Sequence, residues 1–262
     1  MDIFNAVILG IVEGISEFLP ISSTGHLILA SKILKIPQTE YVKSFEIIIQ
    51  LGAIAAVVFL YFNLLCRDPK VIRRLLAAFI PTGIIGFFLY KVVKKLLLGN
   101  IYVVFWSLLV GGILIILFEL LHREKEGATD DVASISYPQA ICIGLFQSIA
   151  IVPGVSRSAA TIIGGLLLGL KRKTIIEFSF LLAVPTMLAA TLLDLAKNAG
   201  SFSHEQILSL SVGFITSFIV AILAIKFLLA FIQKHSFIVF GVYRIVIALL
   251  LLLLLGLPAV GR

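Results

Sequence analysis

The stretch EGISEFLPISSTGHL, from Glu13 to Leu27, decides how this chain is arranged. It holds two carboxylates, four hydroxyl groups and one imidazole inside an apolar surrounding, and a proline interrupts it. The whole chain of 262 residues is 60% hydrophobic and 13% charged, whereas a soluble domain usually carries about 25% charged residues. We therefore interpret the chain as an integral membrane protein with a polar break inside an apolar segment.

Eight apolar stretches divide into two kinds. A membrane-spanning helix needs about 20 mostly apolar residues, and six such spans are predicted, near 44–62, 75–93, 101–121, 175–195, 207–231 and 237–257. Two further stretches, 3–33 and 137–170, are broken near their middles by FLPISSTG and VPGVSRS. Breaks at membrane depth occur where the backbone is buried in protein or lines a wet cavity. The two breaks are therefore the candidate functional regions.

The hydrophilic segment HREKEGATDDVASIS, residues 122–136, separates two similar halves. LGIVEGISEFLPISSTGH in the first half parallels IGLFQSIAIVPGVSRSAAT in the second. We predict an all-α polytopic membrane protein with a single domain over 1–262, repeat one at about 1–121 and repeat two at about 137–262. Each repeat has one interrupted re-entrant helix pair and three spanning helices. An odd number of crossings per half predicts an inverted repeat, with the functional sites at the interrupted segments.

Charge and cysteine content exclude other classes of protein. The net charge of +7 indicates basic loops on anionic lipid, and no basic stripe with interleaved aromatic residues suggests nucleic-acid binding. The basic segments CRDPKVIRR, KVVKK and KRK fall at different ends, so charge does not fix the membrane orientation. Cys66 and Cys142 are interpreted as unpaired core thiols. The start MDIFNAV lacks the basic region of a signal peptide, so we expect it to belong to the mature chain.

Glu13 and Glu17 are four residues apart and so share one face of the first half-helix. Carboxylates within a membrane segment are costly and usually functional. One alternative is a structural ion pair or a loop end at the interface. The other is that the two acids hold a divalent cation, or divide into a base and a charged partner.

A run of hydroxyls and an imidazole follows Pro20. Ser22 or Ser23 is expected to cap the next helix by accepting from its free N–H groups. His26 alone is typical of a packing histidine. Because acids, hydroxyls, a helix N-terminus and an imidazole occur within 14 residues, the combination predicts a site.

Arg157 is the charged residue of the second break. It needs a partner inside an apolar segment, and that partner is either one of the two glutamates or an anion. Together with Ser156 and Ser158 it precedes the helical AATIIGGLLLGL, and a guanidinium beside free amides at a helix N-terminus suits phosphate. The SST of the first break holds the equivalent place, so two helix N-termini are expected to converge on one phosphate group.

Other polar residues give weaker signals. Glu46 and Gln50 share one face of a helix and are candidates for lining the cavity. Tyr243 and Arg244 are interpreted, with most of the remaining polar residues, as interhelical pairs or interfacial anchors.

The segments EGISEFLPISSTGHL and PGVSRSAATI resemble the two signature segments of the bacterial undecaprenyl-diphosphate phosphatases of the bacitracin-resistance type. SFEIIIQLGAI, EFSFLLAVP, VGFITSFIVAILAIKFLL and FIVFGVYR are also similar to that family, so the resemblance covers nearly the whole chain in order. It implies a membrane enzyme that removes the terminal phosphate of a C55 isoprenyl diphosphate and recycles the lipid carrier of cell-wall synthesis. It also implies a divalent cation (Mg or Ca), a homodimer, and a site facing outside the cytoplasmic (inner) membrane.

The resemblance places the family's functional residues on motifs of this chain. Its two glutamates fall on Glu13 and Glu17, and its other polar positions fall on Ser22, Ser23, Thr24, His26, Ser156, Arg157 and Ser158. The hypothesis is that arginine, hydroxyls and amides clamp the diphosphate, while the glutamates bind the cation or activate the nucleophile. Ser23 is the preferred nucleophile and His26 the preferred acid or base, with attack by water or by the imidazole left open. A secondary transporter or lipid translocase is the alternative, because it uses the same inverted repeat.

Overall fold

The computed structural model describes residues 1–92, 97, 100–124, 127–198 and 204–256. Predicted segments that include 93, 125–126 and 257–262 extend outside the described residues. Within them the chain forms eleven α-helices and no named β-strand: α1 (Ile3–Ser16), α2 (Ser23–Ile33), α3 (Glu40–Leu60), α4 (Phe62–Arg67), α5 (Pro69–Val92), α6 (Ile101–Leu121), α7 (Tyr137–Ser148), α8 (Arg157–Leu167), α9 (Arg172–Asn198), α10 (His204–Phe231) and α11 (Ile238–Gly256). The predicted all-α fold is confirmed.

Five of the described helices are long and apolar enough to cross a membrane. They cover Glu40–Leu60, Pro69–Leu89, Ile101–Leu121, Arg172–Leu192 and Gln206–Phe231, which agrees with five of the predicted spans. The sixth predicted span, 237–257, forms α11, whose stretch Ile238–Leu253 counts among the shorter apolar helices. The chain is therefore an integral membrane protein.

Each interrupted segment forms a pair of short helices, α1 with α2 and α7 with α8. Both second helices begin at a serine with a positive φ, 72° at Ser22 and 71° at Ser156, a region that residues other than glycine rarely adopt. The two side chains act as N-caps, accepting from the backbone N–H groups of Gly25 and Ala159. The two half-helices thus start with the same backbone geometry.

The first short helix of each pair packs against a long helix of the other half, α1 against α10 and α7 against α5. A glycine allows each close approach. A Cβ on Gly10 would lie 2.7 Å from the backbone oxygen of Gly213, and one on Gly144 would overlap the backbone of Ala78. The packing therefore interleaves the two halves, while their opposite orientation stays a prediction.

Polar contacts mark the end of the bundle that carries the linker. Arg172 Nη1 lies 2.7 Å from Glu119 Oε1, and Lys171 Nζ lies 3.1 Å from Asp130 Oδ2. The hydrogen bond and the charge of Lys171 lower the pKa of the exposed Asp130 carboxyl. These contacts hold the start of α9 against the end of α6 and the linker.

Candidate active site

A cavity of about 160 Å³ lies between the two breaks. Residues of both breaks line it together with side chains from α3 and α9: Glu17, Ser22, Ser23, Thr24, Gln50, Ala150, Pro153, Gly154, Ser156, Arg157 and Met187. Most of the polar residues that the sequence singled out therefore meet in one place, although the two breaks are more than 100 residues apart.

The charged centre of the cavity is a hydrogen-bonded row of three side chains. Arg157 Nη2 lies 3.3 Å from Glu17 Oε1, and Ser23 Oγ donates to Glu17 Oε2 over 2.5 Å. Arg157 Nη1 donates to the backbone oxygen of Ser179 at 2.8 Å. Arg157 thus pairs with a glutamate, which was one of the two partners considered from the sequence, and it also lines the cavity. Its Nε has no hydrogen-bond partner among the described residues.

Two helix N-termini border this row of side chains. The N-cap residues of α2 and α8, Ser22 and Ser156, both line the cavity. The first N–H groups of a helix have no partner within the helix, and the helix dipole places partial positive charge there. Backbone donors of both halves and the Arg157 guanidinium therefore surround one volume, an arrangement that suits a phosphate group.

Glu13 lies one helical turn before Glu17 and is completely buried, so it does not line the cavity. Neither of its carboxylate oxygens has a hydrogen-bond partner among the described residues. Magnesium is commonly held by one or two carboxylates, with water and substrate phosphate supplying the remaining oxygens. The described residues contain no cluster of three or more His, Cys, Asp or Glu side chains placed for a metal. Two carboxylates one helical turn apart are ligands of the type that such a cation takes, and of the two only Glu17 lines the cavity.

Ser158 and Glu46 are two further candidate residues that lie outside the lining of the cavity. Ser158 is fully buried, and its hydroxyl donates to the backbone oxygen of Phe18 at 2.8 Å, so it joins α8 to the first break. Glu46 accepts from Ser31 at 3.3 Å and from Gln38 at 3.4 Å, which holds it toward the connection between α2 and α3. Gln50, one turn further along α3, does line the cavity.

His26 also lies beside the cavity and not in its lining. Its Nδ1 is 2.7 Å from the backbone oxygen of Ser22, and its Nε2 is 2.8 Å from the Tyr243 hydroxyl. His26 lies one helical turn after Ser22, the strained N-cap of α2. Its imidazole ring therefore lies against the turn at which α2 begins.

Arg244, which the sequence predicted to form an interhelical pair or an interfacial anchor, holds both breaks together. This arginine of α11 is fully buried, and the acceptors of its guanidinium among the described residues are backbone oxygens. The acceptors in the breaks are Pro20 at 3.4 Å, Gly154 at 3.0 Å and Val155 at 3.0 Å, and those in α6 are Ser107 at 2.9 Å and Leu108 at 3.4 Å.

A glycine makes room for this side chain. A Cβ on Gly111 would overlap the Arg244 guanidinium. The signal that could have found Arg244 is the one that found Arg157: an arginine inside an apolar helix needs partners. The sequence does not show that those partners are backbone oxygens.

Comparison with known proteins assigns the chain. Residues 6–250 match the family described as "Bacitracin resistance protein BacA". Three proteins named undecaprenyl-diphosphatase are similar to it over almost their full length. The one from Aquifex aeolicus is 58% identical over 95% of this chain and 97% of its own. Those from Sulfurihydrogenibium sp. and Persephonella marina are 56% and 53% identical, over 95% and 97% of this chain and 98% and 99% of their own. This chain therefore belongs to the bacitracin resistance protein BacA family.

Proposed function

We propose that the chain hydrolyses undecaprenyl diphosphate to undecaprenyl phosphate and inorganic phosphate, which recycles the lipid carrier of cell-wall synthesis and confers bacitracin resistance. The observation that carries this proposal is the cavity in which Arg157, Glu17 and Ser23 meet two helix N-termini. Relatives that share at least half of their residues with this chain are named for the same reaction.

The terminal phosphate is held by the groups that surround the cavity. Arg157 presents a planar guanidinium suited to bidentate contact with phosphate oxygens. The N-termini of α2 and α8, with the hydroxyls of Ser22, Thr24 and Ser156, supply further donors. Since phosphoryl transfer depends mainly on positioning and on stabilising charge, this ring of donors is the main contribution of the fold. The C55 tail stays among the helices or in lipid.

Glu17 is placed to activate Ser23. The Ser23 hydroxyl already donates to the Glu17 carboxylate, so the proton can pass to that carboxylate as the Ser23 oxygen attacks the terminal phosphorus. The bond from that phosphorus to the bridging oxygen breaks, and undecaprenyl phosphate leaves. Water then hydrolyses the phosphoserine and releases inorganic phosphate. Direct attack by water in the same position gives the same products, and in either route His26 is proposed to hold the turn that presents Ser22 and Ser23.

A divalent cation, Mg or Ca, completes the proposal, with Glu13 and Glu17 as the residues that would hold it. When bound, it neutralises charge on the phosphate oxygens. The buried Glu13 carboxylate, which has no hydrogen-bond partner among the described residues, supports this placement.

The experiment measures phosphate release from C55 diphosphate by the purified protein in detergent. Glu17→Ala, His26→Ala and Arg157→Ala are each expected to lower turnover by at least about 100-fold, since loss of a base, misplacement of a reacting group or loss of a charge-stabilising donor has that size of effect. Glu40→Ala, at an exposed glutamate, should retain normal turnover. Near-normal turnover in all three site variants would refute the assignment. Passage of the lipid across sealed vesicles without phosphate release would favour transport instead.

The site is proposed to face the outer side of the cytoplasmic membrane. The orientation follows the resemblance. It is supported by the basic segments 67–74 and 171–173, which lie together at the linker end of the bundle although the sequence suggested different ends, since basic loops favour the cytoplasm. The start of α1 lies at the other end, where the Ser209 hydroxyl near the start of α10 donates to the backbone oxygen of Met1. Cys66 is exposed near the linker end, so an impermeant maleimide should not label it in intact cells of a Cys142→Ala variant. Labelling there would reverse the orientation.

A homodimer is the remaining part of the proposal and rests on the resemblance alone. The mass of the protein in detergent, measured by light scattering after size exclusion, should correspond to two chains. A mass of one chain would contradict it.

A further inference from the structure

A chain of hydrogen bonds runs from α11 to the edge of the cavity through the ring of His26. The Tyr243 hydroxyl lies 2.8 Å from His26 Nε2, and His26 Nδ1 lies 2.7 Å from the backbone oxygen of Ser22. The two rings are parallel, with an interplanar angle of 4° and centroids 5.4 Å apart. Ser22 is the strained cap of α2 and lines the cavity, so Tyr243 is linked to the site although it does not line it.

The acceptors of these hydrogen bonds determine which nitrogen of the His26 ring carries a proton. A backbone oxygen can only accept, so the Nδ1 nitrogen that faces Ser22 must carry a proton. In a neutral ring Nε2 then holds the lone pair, and the Tyr243 hydroxyl donates to it. The partner of one ring nitrogen thereby sets which form of the other is present, as in sites where a backbone carbonyl orients a functional histidine.

We propose that Tyr243 is a positioning residue for His26. Its hydroxyl holds Nε2, and its ring holds the imidazole flat, so that Nδ1 stays against the Ser22 carbonyl. His26 in turn supports the left-handed turn that aims the Ser22 and Ser23 hydroxyls and the N-terminus of α2 at the substrate. This proposal rests on the function proposed above, because it concerns how the same site is held in its working shape.

The matched pair of variants is Tyr243→Phe and Tyr102→Phe. Each removes one hydroxyl and keeps the ring, and Tyr102 lies on the exposed surface of α6. The readout is the ¹⁵N spectrum of protein labelled at its four histidines, with His26→Gln used to assign the His26 signal. The wild-type His26 should show a protonated Nδ1 and an unprotonated, hydrogen-bonded Nε2.

Tyr243→Phe should move the His26 Nε2 resonance toward that of a free acceptor nitrogen, and Tyr102→Phe should leave it in place. Turnover of C55 diphosphate should fall about 3- to 10-fold in Tyr243→Phe, with KM little changed, which corresponds to the loss of one hydrogen bond. An unchanged His26 spectrum in Tyr243→Phe, or a wild-type ring protonated on Nε2, would overturn the proposal. The spectrum does not depend on turnover, so an inactive wild-type protein would refute the proposed function and leave this test intact.

Discussion

Arg244 is the residue whose replacement gives the sharpest prediction. Its guanidinium makes five hydrogen bonds to backbone oxygens, three within 3.0 Å and two at 3.4 Å. Arg244→Lys keeps the buried positive charge but offers only three donors from a single atom. At least two of the five carbonyls therefore lose a charged donor.

The magnitude follows from this count. A hydrogen bond to a charged group contributes about 1.5–3 kcal/mol, and the two longest contacts count at the lower end, so the free energy of unfolding should fall by about 3 kcal/mol. For a chain of this size that corresponds to a drop in Tm of roughly 6–12 °C. Because the acceptors include backbone oxygens of both breaks, turnover should also be lower at temperatures well below Tm, where the variant is still folded.

The assay is thermal unfolding in detergent together with phosphate release measured far below Tm. Arg73→Lys, at an exposed arginine, is the matched control and should behave as wild type. Gly111→Ala disturbs the same contact from α6, since its methyl group would overlap the guanidinium, and should lose both stability and turnover. If Arg244→Lys unfolds within about 2 °C of wild type and turns over normally, the hydrogen bonds of Arg244 are not what holds the two breaks together.

Three further predictions concern the nucleophile, the cation and the packing. Ser23→Ala should lower phosphate release by at least about 100-fold without changing Tm by more than a few degrees; unchanged release would leave attack to water. A chelator should stop turnover, and added Mg or Ca should restore it. Mn binding, measured by electron paramagnetic resonance, should be lost in Glu13→Gln and Glu17→Gln. Full activity in the presence of the chelator would contradict the requirement for a cation. Gly52→Ala should destabilise the protein by about 1–3 kcal/mol, because the added methyl group would overlap a backbone carbonyl of α10, whereas Gly83→Ala, with 3.4 Å of clearance, should unfold like wild type.

The sequence was informative where a signal is local. Proline, glycine and serine located both helix breaks, and apolar length located the spans, because these depend only on neighbouring residues. The pairing of Arg157 with Glu17 was one of two alternatives that the sequence left open, since an arginine in an apolar segment needs a partner.

The sequence did not predict the features that depend on which way a side chain points between helices. Glu46 and Gln50 share a face of α3, yet only the second lines the cavity, because hydrogen bonds from neighbouring segments hold the first elsewhere. The direction of the His26 ring depends on Tyr243, 217 residues away. Helical periodicity predicts which residues share a face of a helix, but it does not predict which residues of other helices lie opposite that face.

The position of Arg244 along the chain has a consequence for biogenesis. Both breaks are synthesised before the arginine that fastens them, which lies in the last described helix. Chains are made from the N-terminus, and their parts fold as they emerge. The site can therefore reach its final shape only when α11 has been inserted beside α6. A nascent chain that carries every residue of the cavity but lacks α11 has both breaks without the side chain that fastens them.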